Sequence, residues 1–269
     1  MKYKFGFIGC GNMGGALAQA VVKSVRPLEM IALCDANIER AAALAESFGC
    51  SVATLAQIAA DCEYIFLGVK PQGFAGLFEE IAPILKARKD RFVLISMAAG
   101  VSIAAIEKMC GVSAPVIRIM PNTPVSVGEG MILYTVNDAV SDCDLDVFLH
   151  ALSKAGKLDE IAEDKIDAAS ALSGCGPAFV YLFAEALADG AVECGLARDK
   201  ANLYAAQTLL GAATLLLESG KHPGELKDAV CSPGGTTIAG VHALEESAFR
   251  SASMNAVTAA YEKTLKLKK

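Results

Sequence analysis

The stretch that decides the fold lies near the amino end of the chain, where residues 4–14 read KFGFIGCGNMG. Its first part, Lys4–Ile8, is rich in aromatic and β-branched residues, a composition typical of a buried strand. Three glycines follow at once, at positions 9, 11 and 14, and a helix-length stretch begins after Asn12. A strand, a glycine-rich turn and a helix in this order predict a βαβ unit on a parallel sheet.

The same alternation of strand-like and helix-length segments continues through the first 120 residues. Further helices are predicted after Asn37, Pro71 and Ser102. The predicted strands are Lys4–Ile8, Met30–Cys34, Tyr64–Gly68, Phe92–Ser96 and Val116–Ile119, with one or two more at the sheet edge, Met131–Thr135 and about Leu158–Ala162. We therefore expect an α/β fold, a Rossmann domain with a doubly wound, mostly parallel sheet, over residues 1–162.

From Glu163 onward the pattern changes to long segments rich in Ala and Leu with a period of 3.6 residues. The predicted helices of this part are Pro177–Cys194, Arg198–Ser219, Thr236–Glu246 and Phe249–Leu265. These segments predict an all-α domain over residues 163–269. Their apolar faces exceed what about a hundred residues can bury alone, so we expect this domain to form a homodimer.

Composition argues against several classes of partner. The net charge is −6, and the only Lys-rich stretch is the short tail at 266–269, which we expect to be solvated, so neither nucleic acid nor an anionic membrane is an expected partner. The apolar stretches at 201–217 and around Phe179 are interrupted by polar residues or by Pro177, and neither is predicted to span a bilayer. No signal-peptide pattern precedes Lys4–Ile8, so a cytoplasmic location is expected.

The nine cysteines are odd in number and include no Cys-x-x-Cys pair, which favours free thiols over a disulfide framework. His150, His222 and His242 are isolated from one another and from other ligand-type residues at metal-binding spacing. No metal site is expected.

The glycine-rich stretch matches the physical needs of dinucleotide binding. Gly9 permits a tight turn, Gly11 lets the backbone approach a pyrophosphate, and Gly14 allows close packing of helix on strand, while the helix start offers free amides to phosphates. The alternative is a glycine-rich turn without a ligand. The predicted cofactor-binding residues of this turn are Gly9, Cys10, Gly11, Asn12, Met13 and Gly14.

The end of the second strand leaves the choice between NADH and NADPH open. Asp35 lies where a carboxylate would bind the adenosine ribose of NAD, whereas Arg40 would pair with the 2′-phosphate of NADP. Asp35 and Asn37 are equally well explained as helix N-caps. Two later segments, 69–71 and 97–100, follow strand ends, where open α/β sheets bind ligands, and are expected beside the nicotinamide half. The irregular loop 120–124 comes next and presents amides and hydroxyls, with an ordinary loop as the alternative. The predicted cofactor residues of these three segments are Val69, Lys70, Pro71, Ala98, Ala99, Gly100 and Asn122.

In the helical half, residues 173–178 form a small-residue corner between two helices, with Pro177 suited to the first turn of the second. Residues 232–237, SPGGTT, place unpaired amides and three hydroxyls before a helical run. That arrangement predicts an anion pocket that suits a carboxylate, with ordinary helix capping as the alternative.

Taken together, the glycine turn, Val69-Lys70-Pro71, the Met120–Pro124 segment and Ser232–Thr237 resemble the pyrroline-5-carboxylate reductase family along essentially the whole chain. Pro223–Glu245 is similar to that family's signature segment. The resemblance implies an oxidoreductase that reduces 1-pyrroline-5-carboxylate to L-proline, the last step of proline biosynthesis, with NADPH or NADH. It also implies a Rossmann domain, an intertwined dimer through the helical domain, and often larger assemblies.

By position, the resemblance implies a substrate-carboxylate loop whose catalytic residue is Thr237, near the ring nitrogen, and assigns Lys70, Pro71, Ala98 and Asn122 to the cofactor side. The substrate-binding residues of the loop are Ser232, Gly234, Gly235, Thr236 and Thr237.

Reduction of a protonated C=N bond needs orientation rather than a strong base, and residues 167–199 contain no lysine or histidine. A lysine on the corresponding helix is a feature of the related 3-hydroxyacid dehydrogenases. The alternatives are therefore a 3-hydroxyacid or phosphogluconate-type dehydrogenase, disfavoured by the missing lysine, and a non-catalytic dinucleotide sensor, disfavoured by the second anion pocket.

Overall fold

The computed structural model describes residues 2–267, so Met1 and the last two lysines of the predicted solvated tail lie outside the described residues. The described residues divide into two compact units, one formed by 2–175 together with 260–267 and the other by Gly176–Ala259.

The first unit is built on a sheet of eight strands whose spatial order is β3-β2-β1-β4-β5-β6-β7-β8. Neighbouring strands are parallel except for the antiparallel pair of β6 and β7. The strands are β1 Tyr3–Ile8, β2 Ile31–Cys34, β3 Ser51–Val52, β4 Cys62–Leu67, β5 Val93–Ser96, β6 Val116–Pro121, β7 Gly130–Val136 and β8 Gly156–Glu160. The predicted doubly wound, mostly parallel sheet is confirmed.

Helices cover both faces of this sheet. They are α1 Asn12–Ser24, α2 Ile38–Phe48, α3 Leu55–Asp61, α4 Phe74–Ala87, α5 Ile103–Cys110, α6 Asp142–Ala151 and α7 Ile166–Ser173. Alternate residues of the central strands enter opposite cores, because successive side chains of a strand point to opposite faces. Phe7 and Phe66 stack at 4.3 Å in one core, and Ile65 and Leu67 lie in the other.

One short strand and two α-helices of the first unit, β3, α3 and α6, were not predicted. β3 and α3 are short, with two and seven residues. Both unpredicted helices, α3 and α6, begin with a capping box. Thr54 and Gln57 form the box of α3, and Ser141 and Asp144 form the box of α6. The Thr-x-x-Gln and Ser-x-x-Asp spacings were therefore usable signals for both helix starts.

The remaining helices are α8 Gly176–Glu193, α9 Arg198–Ser219, α10 Pro223–Ala229, α11 Thr236–Glu246 and α12 Phe249–Leu267. Of these, α10 was not predicted, and no strand occurs between residues 163 and 267, as expected. The helix α7 packs on β6 and β7 and therefore belongs to the first compact unit. The division between the two units lies after Cys175. The predicted boundary near residue 162 stays a prediction.

The second unit exposes many large apolar side chains. Leu182 and Leu217 are 67% and 77% exposed, and Tyr181, Leu203 and Leu210 are also largely exposed. By length and composition alone, the helical stretch Ile166–Glu193 would also suit a bilayer span, with 11% of its most apolar window buried. Exposed apolar area of this extent is typical of a surface that contacts another molecule.

Candidate cofactor and substrate sites

The turn after β1 is held together by direct backbone packing that only glycine permits. Gly9 has a φ of +95°, and a Cβ on it would lie 2.6 Å from the carbonyl oxygen of Gly68. A Cβ on Gly14 would lie 2.0 Å from the carbonyl oxygen of Gly9. Gly68, which sequence reasoning assigned only to a strand end, therefore shares the packing of this turn. The geometric roles predicted for Gly9 and Gly14 are those observed.

Gly11 differs from its neighbours, because a Cβ placed on it would meet no atom within 4 Å. It is also the N-cap of α1, without a side-chain cap, and no acidic residue stands in the first turn. The start of α1 thus has first-turn amides without a side-chain cap, at the positive end of the helix dipole. This backbone cradle fits the diphosphate of a dinucleotide.

Beside the cradle, a cleft of about 630 Å³ runs between α1 and α2. It brings together Cys10, Gly11, Asn12 and Arg40 from the predicted cofactor set. Its other lining residues were not predicted from the sequence. They lie on α1, on α2 or in the turn after β6: Gly15, Ala16, Gln19, Ala43, Leu44, Phe48 and Ser126. The predicted residues of 69–71 and 98–100, and Asn122, do not line this cleft.

Asp35, directly after β2, is joined to the glycine turn. Its Oδ2 accepts a hydrogen bond of 2.6 Å from the amide of Cys10, and its Oδ1 accepts one of 2.8 Å from the amide of Asn37. The guanidinium of Arg40 lies 3.7 Å from Oδ2. Burial and the nearby Asp35 charge raise the pKa of the Cys10 thiol to about 12, so this thiol stays protonated and unreactive.

The side chains of two predicted cofactor residues, Asn37 and Asn122, form hydrogen bonds with the protein's own backbone. The Asn37 side chain caps α2 by accepting from the amide of Arg40 at 3.0 Å. The Asn122 amide group donates to the carbonyl of Ser173 at 2.9 Å, and its oxygen accepts from the amide of Met131 at 2.9 Å. Both residues therefore shape loops, and a direct cofactor contact by either stays a prediction.

The other predicted cofactor residues lie where expected on the sheet. β1, β4 and β5 are neighbours, and the strand order reverses direction between β1 and β4. The carboxyl ends of these strands, followed by Gly9, Lys70 and Ala98, lie along one edge at this switch point, where such sheets bind ligands. Lys70, Pro71 and Ala99 are exposed, Ala98 is buried, and Gly100 has a φ of +75°.

The predicted substrate loop precedes α11 in the second unit. The amide of Gly235 donates to the carbonyl of Ser232 at 3.0 Å, Gly234 has a φ of +67°, and Gly235 is the N-cap of α11 without a side-chain cap. Thr236 and Thr237 begin the helix and are exposed. The loop thus presents backbone amides and hydroxyls at a helix start, the arrangement predicted for an anion pocket.

A cavity of about 490 Å³ borders this loop at Gly234 and Gly235 and continues along α11. It is lined further by Ile238, Ala239, Val241, His242 and Glu245, and it does not include Thr237 or Ser232. Among residues 2–267, no cluster of three His, Cys, Asp or Glu side chains suited to a metal ion is present.

Comparison with known proteins identifies both parts of the chain. The family described as pyrroline-5-carboxylate reductase dimerisation matches residues 163–267. The family described as NADP oxidoreductase, coenzyme F420-dependent, matches residues 4–100. The first match indicates that the helical part mediates a homo-oligomer, and the second covers β1 to β5 with the glycine turn.

Relatives of the same length carry the same reductase name. The pyrroline-5-carboxylate reductase of Escherichia coli K12 is 42% identical over 271 residues, with 100% of each chain covered. The structure of Plasmodium falciparum pyrroline carboxylate reductase with NADP bound is 33% identical, covers 100% of both chains and has a TM-score of 0.86. The structure of the pyrroline-5-carboxylate reductase from Coxiella burnetii is 31% identical, covers 100% of both chains and has a TM-score of 0.90. The chain therefore belongs to the pyrroline-5-carboxylate reductase family.

Proposed function

We propose that this protein reduces the C=N bond of 1-pyrroline-5-carboxylate with NADPH or NADH to give L-proline, an oxidoreductase reaction on a CH–NH group and the last step of proline biosynthesis. The observation that carries the proposal is the 42% identity to a reductase of this activity over the full length of both chains. The open cradle at Gly11 and the uncapped helix start at Gly235 give that similarity a physical basis, because each suits one anionic partner of the reaction.

The cofactor would be held by the glycine turn and by the strand ends at the switch point. The amides after Gly11 would bind the diphosphate, Asp35 and Arg40 would hold the adenosine ribose, and residues at the strand ends after β4 and β5 would hold the nicotinamide. A bound reduced nicotinamide supplies the hydride of the reaction. The chain's contribution is to orient that ring and to exclude water around it.

The substrate would be held by the loop from Ser232 to Thr237. Its amides and the Ser232 and Thr236 hydroxyls bind the carboxylate, and the Thr237 hydroxyl lies near the ring nitrogen, where it stabilises the protonated imine and the amine that forms from it. No general base is required, because the imine carbon becomes electrophilic once its nitrogen is protonated. The absence of lysine and histidine from residues 167–199 agrees with this chemistry.

For assembly, we propose a homodimer through the helical domain, with larger oligomers built from dimers. The exposed leucines and tyrosines of α8 and α9 supply the apolar area that such an interface covers. This assigns α8, the longer part of the apolar stretch Ile166–Glu193, to a subunit contact and not to a bilayer. A functional boundary at residues 162/163 agrees with the start of the dimerisation match. We also propose that the enzyme is cytoplasmic and has no nucleic-acid partner.

The deciding experiment is an assay of the purified protein with 1-pyrroline-5-carboxylate, following the oxidation of NADH and of NADPH at 340 nm. The expected result is cofactor oxidation that depends on the imine and yields proline by amino-acid analysis. Parallel reactions with 3-hydroxyacids and oxidised cofactor test the dehydrogenase alternative. Cofactor binding without turnover of the imine would overturn the proposal and favour a dinucleotide sensor.

A further inference from the structure

We propose, as a refinement that rests on the proposed function, that Asp35 makes this enzyme select NADH over NADPH. The observation behind the proposal is the way in which this carboxylate is held. It accepts from the Cys10 amide at 2.6 Å and from the Asn37 amide at 2.8 Å, and its side chain is only 10% exposed. Two amides from different elements fix both oxygens, so the carboxylate has no free rotation away from a ligand.

The carboxylate retains the capacity to accept a ribose hydroxyl. Each carboxylate oxygen has two acceptor sites, so the bonds from Cys10 and Asn37 leave acceptor sites unused. Because Cys10 belongs to the glycine turn, its bond to Asp35 sets the carboxylate directly beside the diphosphate cradle. A carboxylate at the end of β2 in this fold is placed for the adenosine ribose hydroxyls.

The local charges disfavour a 2′-phosphate at the same place. Glu39 stands in the first turn of α2, directly before Arg40 in the sequence, and Arg40 lies beside the Asp35 carboxylate. Arg40 is already 3.7 Å from the Asp35 carboxylate, which offsets its positive charge. Of the residues that the structure describes, Arg40 is also the only charged one that lines the cleft between α1 and α2. A 2′-phosphate of charge close to −2 would therefore meet one arginine whose charge Asp35 already offsets in part, with no second basic side chain in the cleft lining.

The test is a titration of the protein with NADH and with NADPH in the absence of substrate. The chain contains no tryptophan, so the nicotinamide's own fluorescence reports binding without interference from the protein. We expect the Kd for NADPH to exceed that for NADH by about tenfold or more, because like charges at contact distance cost at least that factor. The ratio should fall between about 0.01 and 1 M salt, since screening weakens repulsion.

Two substitutions assign the effect to Asp35. Asp35→Asn keeps the size and one acceptor oxygen but removes the charge, and it should bring the two Kd values within about threefold of each other, mainly by tighter NADPH binding. Asp35→Glu keeps the charge and should preserve discrimination. Arg40→Met should weaken NADPH binding further while leaving NADH binding within about twofold.

The proposal is overturned if the wild-type protein binds NADPH as tightly as NADH, or if Asp35→Asn, with an unchanged melting temperature, keeps the wild-type ratio. The wild-type ratio decides the matter alone if the variants do not fold. Failure of the proposed function has a different signature, because neither cofactor would then be oxidised in the presence of the imine, whatever the two Kd values.

Discussion

The guanidinium of Arg118, on β6, donates a hydrogen bond of 3.1 Å to the carboxylate of Asp167, on α7, and the two side chains are only 2% and 4% exposed. Arg118 also donates to Glu163 at 3.3 Å, and Glu163 accepts from the amide of Ile103 at 2.8 Å. One buried arginine thus joins the middle of the sheet to the starts of α5 and α7. Because α5 follows the predicted cofactor residues 98–100, this network fixes one border of the candidate cofactor site.

Arg118→Met should lower the free energy of unfolding by about 3 kcal/mol, because it removes a buried guanidinium that bonds the buried carboxylate of Asp167. Urea denaturation at a fixed protein concentration measures the change. The control is Arg198→Met, which breaks a 2.6 Å pair with Asp189 between side chains that are 51% and 61% exposed. We expect less than about 1 kcal/mol from that exposed pair. If the two substitutions lowered the free energy of unfolding equally, burial would not be the reason for the effect of Arg118→Met.

The sequence predicted the parts of this fold that local patterns encode. The glycine spacing at 9, 11 and 14, the alternation of strands and helices, and the helix α9, Arg198–Ser219, all follow from periodicity and turn chemistry. Strand ends shifted by one or two residues, because pairing with neighbouring strands and not composition sets where a strand stops. The short α3 and α10 were missed since seven residues carry too little periodicity.

The contacts that shape the site could not be predicted, because they join residues distant in sequence. Asp35 and Cys10 are 25 positions apart, Asn122 and Ser173 are 51 apart, and Arg118 and Asp167 are 49 apart. No periodicity relates the members of such pairs. The sequence therefore predicts which residues lie near the cofactor, whereas only the structure distinguishes those whose side chains already bond other parts of the protein, such as Asn37 and Asn122.

Asp144 should make stability depend on pH at the acid end. Burial alone would raise the pKa of this carboxyl, but hydrogen bonds from Arg91 and Ser141 outweigh burial and lower the pKa to about 2 from its ordinary 3.8. The lowered pKa contributes stability that is complete above about pH 4 and is lost as the pH falls through about 2. Asp144→Asn should therefore cost about 2 kcal/mol at pH 7, and the cost should shrink as the pH falls from 4 to 2.

Chemical denaturation between pH 2 and pH 7 measures this dependence. The control is Asp142→Asn, an exposed position in the first turn of the same helix, where we expect a change of at most about 0.5 kcal/mol. A cost of Asp144→Asn that stays constant from pH 7 to pH 2 would contradict the assigned role of ionisation.

Gly11→Val should abolish or strongly weaken cofactor binding without unfolding the protein. A side chain at Gly11 meets no atom within 4 Å, and its φ of −67° suits any residue, so the fold tolerates the change while the cradle is filled. Isothermal titration with NADH and NADPH should show a loss of at least about a hundredfold, with a melting temperature within about 2 °C of the wild type. Unaltered affinity would place the diphosphate elsewhere.

Gly14→Ala provides the contrasting case. A Cβ there lies 2.0 Å from the carbonyl oxygen of Gly9, so this small change should destabilise the turn itself by about 2 kcal/mol or more. Binding and stability should then fall together, unlike the separation expected for Gly11→Val.

Leu217→Glu and Leu182→Glu should dissociate the homo-oligomer, because each places a charge on an apolar surface that a subunit contact would bury. Sedimentation velocity at micromolar concentration measures the shift to a smaller species. Val52→Glu is the control, since Val52 is an exposed apolar residue of the first unit, at 47%, and its change should leave the assembly intact. A wild-type protein that is monomeric while active would contradict the proposed dimer.

Thr237→Ala should lower kcat/KM for 1-pyrroline-5-carboxylate by about ten- to a hundredfold. Its hydroxyl is expected to bond a charged group in a partly desolvated site, and such bonds contribute about 1.5–3 kcal/mol. Thr237 is exposed at the start of α11, so the melting temperature should change little. Thr237→Ser restores the hydroxyl and should recover most of the loss. The Kd for the cofactor should not change, because the glycine turn and this loop belong to different compact units.

A substitution at Gly235 tests the contribution of the loop backbone separately from that of the loop hydroxyls. A Cβ on Gly235 would lie 2.3 Å from the Ser232 Oγ, so Gly235→Leu must displace Ser232 and reshape the loop as well as fill it. We expect the KM for the imine to rise at least about tenfold, with cofactor affinity retained. Gly240→Ala lies on the same helix, where a Cβ meets nothing within 4 Å, and should leave the KM unchanged. If Thr237→Ala keeps wild-type efficiency, or Gly235→Leu keeps the wild-type KM, the substrate carboxylate binds at another site.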